Sequence, residues 1–176
     1  MAGKIKKVGV VGAGQMGSGI AHVCALAGYD VMLNDLNAER IKAGLATING
    51  NLARQVSKGT ISEEARQQAL AHIKPAEKLA DLATCDLVIE SATEKEEVKR
   101  KILIELCQNL KPEAVLATNT SSISITRLAS STDRPERFIG IHFMNPVPLM
   151  ELVELIRGIA TDDATFEATK QYVTKL

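Results

Sequence analysis

Six residues near the amino end, Gly12-Ala13-Gly14-Gln15-Met16-Gly17, restrict what this chain can fold into more than any other stretch. A short β-branched run, Ile5 to Val11, leads into them, and small or apolar residues without proline follow from Ser18 to Ala27. Gly28 then supplies a stop, and a second apolar run, Asp30 to Asn34, delivers Asp35 eighteen residues after Gly17. The order predicts strand, tight turn, helix, strand and a terminal acid, the first half of an open α/β sheet. Each glycine has its own task. Gly12 permits the turn, Gly14 lets the backbone approach a pyrophosphate, and Gly17 lets helix and strand pack closely. The unpaired N–H groups at the helix start face the phosphates. Asp35 is placed to accept hydrogen bonds from an adenosine ribose and to repel a 2′-phosphate, which favours NAD over NADP. The plainer alternative is a βαβ turn that uses glycine for geometry alone, with Asp35 capping the next helix.

The rest of the chain narrows the class. At 176 residues and 45% apolar composition it is expected to form one domain, 1–176, with a full core. Lys plus Arg equals Asp plus Glu at 21 each and aromatics are 3%, so neither nucleic acid nor a membrane is expected as a partner. Cys24, Cys85 and Cys107 are unclustered and odd in number, which reads as reduced thiols in a cytoplasmic protein, and no metal-ligand spacing occurs. No apolar run is long enough to span a bilayer, and the first strand starts too near Met1 for a signal peptide.

A long helix is predicted from Asn37 to Lys58 with Ile41, Leu45, Ile48, Leu52 and Val56 on one stripe, and a second from Ser62 to His72, before Pro75. Asn51, Arg54 and Lys58 share the outer face of the first, either as solvated surface or as a place to hold a phosphate-bearing substrate. Leu87 to Ser91 and Ala114 to Ala117 read as strands. Between them a helix from Glu94 is expected to bury Val98, Ile102, Leu106 and Leu110 and to pair Glu96 with Arg100 and Glu97 with Lys101. Glu90 to Glu94 and Thr118 to Ser122 then fall beyond strand carboxyl ends, where ligands of such sheets sit, although loop and capping chemistry explains them equally.

Strand Phe138 to Phe143 and strand Leu152 to Ile156 flank Asn145-Pro146-Val147-Pro148. Folded back about Pro148, they set His142 opposite Glu154. A carboxylate there fixes the imidazole tautomer and prepares a general base. The alternative is a satisfied core histidine and an outward glutamate. His22 and His72 have no acid placed comparably and receive no chemistry. A last helix is predicted from Asp163 to Leu176.

These motifs carry a resemblance. The glycine turn, Val88-Ile89-Glu90-Ser91-Ala92-Thr93-Glu94, Thr118-Asn119-Thr120-Ser121-Ser122 and His142-Phe143-Met144-Asn145-Pro146-Val147-Pro148 with Glu154 resemble the NAD-binding domain of the 3-hydroxyacyl-CoA dehydrogenases, in particular the short-chain 3-hydroxybutyryl-CoA members of bacteria. The resemblance implies a Rossmann-type, doubly wound and mostly parallel sheet with helices on both faces, and the absence of the family's helical C-terminal domain, which completes the pocket and the homodimer. It implies interconversion of a 3-hydroxyacyl-CoA and a 3-oxoacyl-CoA, of the acetoacetyl-CoA type, by hydride exchange with NAD. Catalytic roles are implied for His142, Glu154 and Ser121, the last on the substrate's 3-oxygen. Cofactor contacts are implied for Gly12, Gly14, Gln15, Met16, Gly17, Asp35, Ser91, Glu94, Lys99 and Asn119, and contacts with the CoA portion for Asn51 and Lys58. The family commonly has serine where this chain has Asn51.

Overall fold

The computed structural model describes residues 3–176, and its seven strands form a single sheet in the order β3-β2-β1-β4-β5-β6-β7. In chain order the elements are β1 (Lys7–Val11), α1 (Gln15–Leu26), β2 (Asp30–Asn34), α2 (Ala38–Ser57), α3 (Glu63–His72), β3 (Ile73–Ala76), β4 (Leu87–Glu90), α4 (Glu96–Asn109), β5 (Val115–Thr118), α5 (Ile125–Ala129), β6 (Phe138–Phe143), β7 (Val153–Arg157) and α6 (Asp163–Thr174). Neighbouring strands run parallel except β6 and β7, which are antiparallel. The chain winds outward from β1 through β2 to β3, then returns to β4 on the other side of β1. That reversal opens a crevice at the carboxyl ends of β1 and β4, the position at which such sheets bind ligands.

Alternation along the strands feeds two cores, because a parallel sheet is covered on both faces. Val8, Val10, Leu87, Ile89, Val115 and Ala117 pack towards one cluster, which includes Ile20 and Cys24 of α1, Ile48 and Leu52 of α2 and Tyr172 of α6. Val11, Val88 and Leu116 point the other way, to Leu103 and Leu106 of α4 and Leu128 of α5. Side-chain caps start several helices where the sequence supplies them: Asn37 accepts from the Arg40 amide, Ser62 from Ala65 and Asp162 from Thr165. Asn37, not Asp35, therefore caps α2. No helix among the described residues is long and apolar enough to cross a membrane.

Several expectations are corrected. α1 begins at Gln15, three residues before the expected Ser18, so Gly17 lies in its first turn. β3, which contains Pro75, was not expected; it is an edge strand, where a missing N–H is tolerated. The short helix α5 was also unanticipated. α4 starts at Glu96, not Glu94; of the predicted stripe Leu106 and Leu110 are buried and Ile102 is half-buried, but Val98 is 41% exposed and Lys99 and Leu103 are buried in addition. Glu96 is paired with Arg100, at 3.1 Å, and with Arg127, at 2.7 Å; Glu97 and Lys101 are both exposed and form no ion pair among the described residues.

Candidate active site

Two of the three turn glycines meet the steric demands expected of them. Gly12 has φ +104°, and a Cβ there would meet the Ser91 carbonyl oxygen at 2.6 Å. A Cβ on Gly17 would lie 1.7 Å from the Gly12 carbonyl oxygen, so helix and turn touch backbone to backbone. Gly14 differs from both. It is the N-terminal residue flanking α1, its φ is −71°, it is exposed, and nothing lies within 4 Å of where a Cβ would stand. No side chain caps α1 and no acid occupies its first turn, which leaves its N–H groups open to an anion. Asp35 closes the other side: Oδ2 accepts from the Ala13 amide at 2.7 Å and Oδ1 from the Leu36 amide at 2.6 Å. Gly12, Asp35, Leu36, Lys78, Ala92 and Ile102 are among the residues lining a cleft of about 430 Å³.

Beyond β4 and β5 lies a buried polar cluster. Glu90, Lys99 and Thr118 are each fully buried. The Lys99 ammonium donates to Glu90 Oε1 at 2.6 Å, to Thr118 Oγ1 at 3.1 Å and to the Asn119 carbonyl at 3.3 Å. Lys99 thus lies beneath the strand ends, not on the open crevice. Ser91 Oγ is buried with no hydrogen-bond partner, one residue past β4 and against Gly12. Glu94 Oε2 accepts from Thr120 Oγ1 at 2.8 Å and from Ser122 Oγ at 3.4 Å, which draws the loop after β5 towards the loop after β4. Ser121, between them, is exposed.

His142 and Glu154 stand opposite each other in the β6–β7 ladder, and His142 Nδ1 lies 2.9 Å from Glu154 Oε2. Nδ1 donates to the carboxylate, leaving Nε2 as the ring's acceptor. The histidine side chain is 19% exposed and the glutamate 51%, so the pair borders solvent. Asn119 Oδ1 accepts from the Phe143 amide at 2.9 Å, joining the end of β5 to the residue after His142.

Asn51 and Lys58 fall elsewhere. Asn51 is half-buried on α2 and accepts from the Arg54 guanidinium; Lys58 is exposed just past the helix end. Neither lines the glycine cleft or bonds to the His142 hairpin. His22 is fully buried with Nε2 2.9 Å from Gln55 Oε1, and burial pushes its pKa down, partly offset by that hydrogen bond. His72 requires a correction: it does have an acid, with Nδ1 2.9 Å from Asp30 Oδ1, but Asp30 begins β2, at the sheet end opposite the crevice. No group of three or more His, Cys, Asp or Glu among the described residues is arranged to hold a metal.

Residues 7–176 match the family described as 3-hydroxyacyl-CoA dehydrogenase, NAD binding domain. The chain is 76% identical over 176 residues to a 3-hydroxybutyryl-CoA dehydrogenase of Bradyrhizobium diazoefficiens, covering all of this chain and 60% of that protein. It is 45% identical over 175 residues to one of Mycobacterium tuberculosis, covering 99% of this chain and 61% of the relative. Its backbone superposes on the crystal structure of an (S)-3-hydroxybutyryl-CoA dehydrogenase from Ralstonia eutropha with a TM-score of 0.96 and 45% identity, over 98% of this chain and 61% of that one. The chain therefore spans about 60% of the length of these relatives.

Proposed function

From membership in the 3-hydroxyacyl-CoA dehydrogenase family, to whose NAD-binding domain this chain belongs, we propose that it supplies the coenzyme grip and the acid–base pair of an enzyme that interconverts a short-chain 3-hydroxyacyl-CoA and the 3-oxoacyl-CoA. The observation that carries the reading is the His142–Glu154 pair at 2.9 Å, near the carboxyl ends of the parallel strands. The residues present fit NAD: an uncapped α1 start, an open Gly14, a buried Ser91 hydroxyl without a partner, and Asp35 at the end of β2. When bound, NAD supplies the hydride acceptor or donor.

The protein's own groups handle the proton. In the oxidative direction His142 Nε2 takes the proton of the 3-hydroxyl, and Glu154 stabilises the imidazolium through Nδ1. In the reductive direction the imidazolium returns a proton to the 3-oxygen, with the exposed Ser121 hydroxyl donating a hydrogen bond to the same atom. Asn51, Arg54 and Lys58 offer a polar and cationic face for the phosphates of CoA. We place the rest of the acyl pocket, and the contacts of a homodimer, in the helical domain with which the family continues. The relatives' greater length favours a second reading for these 176 residues taken alone, that of an NAD(H)-binding module with little turnover.

Mixing NADH and acetoacetyl-CoA with the chain, and with a form extended to the relatives' length, tests both readings through loss of NADH absorbance. Turnover in the longer form, reduced about 10²- to 10⁴-fold by His142→Gln with NADH affinity unchanged, is the expected result. An unaltered rate in that variant removes His142 from the mechanism.

A further inference from the structure

The start of α4 is weakly fixed by its own sequence. Lys95, which precedes the helix, makes no side-chain cap, and the Ala92 and Lys95 amides bond only locally, to Glu90 Oε2 at 2.8 Å and to Thr93 Oγ1 at 3.1 Å. A helix start without a cap leaves its first donors unpaired and frays more easily. Glu94, two residues before α4, nevertheless has to stay in place. Its Oε2 accepts from Thr120 and Ser122, the residues on either side of the exposed Ser121. The same loop closes on Thr120 Oγ1, to which the Ser122 and Ile123 amides both donate at 3.3 Å.

The next element, α5, is firmly seated. Ile125 and Leu128 are buried, Ser124 caps the helix by accepting from the Arg127 amide at 3.2 Å, and Thr126 Oγ1 accepts from the Ile159 amide at 3.0 Å. From this base Arg127 reaches Glu96 with both arms of its fork, Nε to Oε1 and Nη2 to Oε2, each at 2.7 Å. Two parallel bonds fix orientation as well as distance, which a single surface ion pair does not. Arg100 braces both partners, donating to Glu96 Oε1 at 3.1 Å and to the Arg127 carbonyl at 3.3 Å. Glu96 and Arg127 are 31 residues apart, so their bond ties two elements together and is not a contact along one helix. Neither residue has a part in the coenzyme grip or the proton transfer described above.

We propose that Glu96 and Arg127 are positioning residues: their two-pronged ion pair ties the start of α4 to α5 and so holds Glu94, and through it the loop that presents Ser121 to the substrate's 3-oxygen. The inference rests on the dehydrogenase reading, in which Ser121 donates to that oxygen.

The test uses Glu96→Gln, Arg127→Met and the double variant, with Glu97→Gln as the control that removes a neighbouring charge from the same helix start. Each is made in the 176-residue chain and in the form extended to the relatives' length. In the 176-residue chain, hydrogen exchange read by NMR is expected to quicken about fivefold or more at the Ser122 and Ile123 amides in both single variants, while the amides of β1 keep their rates. In the extended form, with NADH saturating, kcat for acetoacetyl-CoA is expected to fall about three- to tenfold, the worth of one neutral hydrogen bond, with KM changed by less than about threefold. The double variant should lose no more than either single one, since each removes the same clamp. Glu97→Gln should match the parent in both measurements. An unchanged kcat in the two single variants would overturn the proposal. So would a loss confined to KM, a double variant that shows the product of the two single losses, or a Glu97→Gln control that loses as much. An extended parent that turns over no acetoacetyl-CoA would sink the dehydrogenase reading instead, and the exchange rates would still decide whether the clamp holds the loop.

Discussion

Replacing Gly14 with alanine separates the two duties of the glycine turn, because Gly14 alone of its three glycines is free of steric demand in the folded chain. Its φ of −71° suits any residue, and the added methyl would meet nothing within 4 Å. Alanine is a poorer residue than glycine at a helix N-cap, by about 0.5–1 kcal/mol. Against that, the less flexible unfolded chain returns about 0.4–1 kcal/mol. The net change in stability is therefore below about 1 kcal/mol, equivalent to a shift of about 2–4 °C in Tm for a domain of this size. Coenzyme binding responds differently, since a methyl at the start of α1 stands where a pyrophosphate approaches the open N–H groups. Losing one charge-assisted hydrogen bond costs about 1.5–3 kcal/mol, which weakens the NADH Kd by about tenfold to a hundredfold. Gly17→Ala is the opposite control: its Cβ would lie 1.7 Å from the Gly12 carbonyl oxygen, so turn and helix must move apart. It should cost about 3 kcal/mol or more in stability as well as binding. Melting curves and NADH fluorescence titrations on the same samples read both quantities. A Gly14→Ala chain that binds NADH as tightly as the parent would refute the argument that a phosphate lies over this residue.

Asp35→Asn keeps an acceptor for the Ala13 amide but removes the charge, so the ratio of NADPH to NADH affinity should rise by about tenfold in paired titrations; an unmoved ratio would exclude Asp35 from the ribose site. Asp86 anchors the start of β1, accepting from the Lys6 and Lys7 amides at 2.9 Å each and from the Lys111 ammonium at 2.6 Å. Burial alone pushes its carboxyl up, but the Lys111 ammonium and the two amides outweigh burial and hold it below the usual carboxylate range. A depressed carboxylate pKa contributes stability in full above about pH 4 to 5 and loses it as the carboxyl protonates at lower pH. Asp86→Asn should thus cost about 1 kcal/mol at pH 7 in urea melts and show a shallower loss of stability on acidification than the parent; parallel pH profiles would contradict the assignment.

The placement of His142 beside Glu154 was legible because strands alternate with a period of two and one centre at Pro148 fixes every partner across the hairpin. The register follows from that arithmetic, and the ladder places His142 opposite Glu154. The glycine turn was legible because Gly12 and Gly17 each answer a separate steric demand that no other residue meets. The face of α4 was legible only in part: Leu106 and Leu110 are buried as the pattern predicts, but its amino-terminal turns do not follow it. Apolar periodicity favoured Val98, whereas the buried position belongs to Lys99, whose partner Glu90 lies on another element. A pattern confined to one helix cannot disclose a charge neutralised from a neighbouring strand. β3 escaped for a related reason: Lys74 and Pro75 break a strand pattern, and only a position at the sheet's edge accommodates them. Asp30 beside His72 joins the start of β2 to the end of α3, a proximity that follows from how α3 packs and not from sequence spacing.

The antiparallel turn-back of β6 on β7 has a consequence for how such a site is inherited. Because imidazole and carboxylate belong to one hairpin, their mutual distance is a local property of thirteen consecutive residues, 142–154, and survives rearrangement of the long crossover helices. Asp35, which follows β2 on the far side of β1, belongs to a separate crossover and makes its hydrogen bonds to Ala13 and Leu36, so the hairpin's geometry does not depend on it.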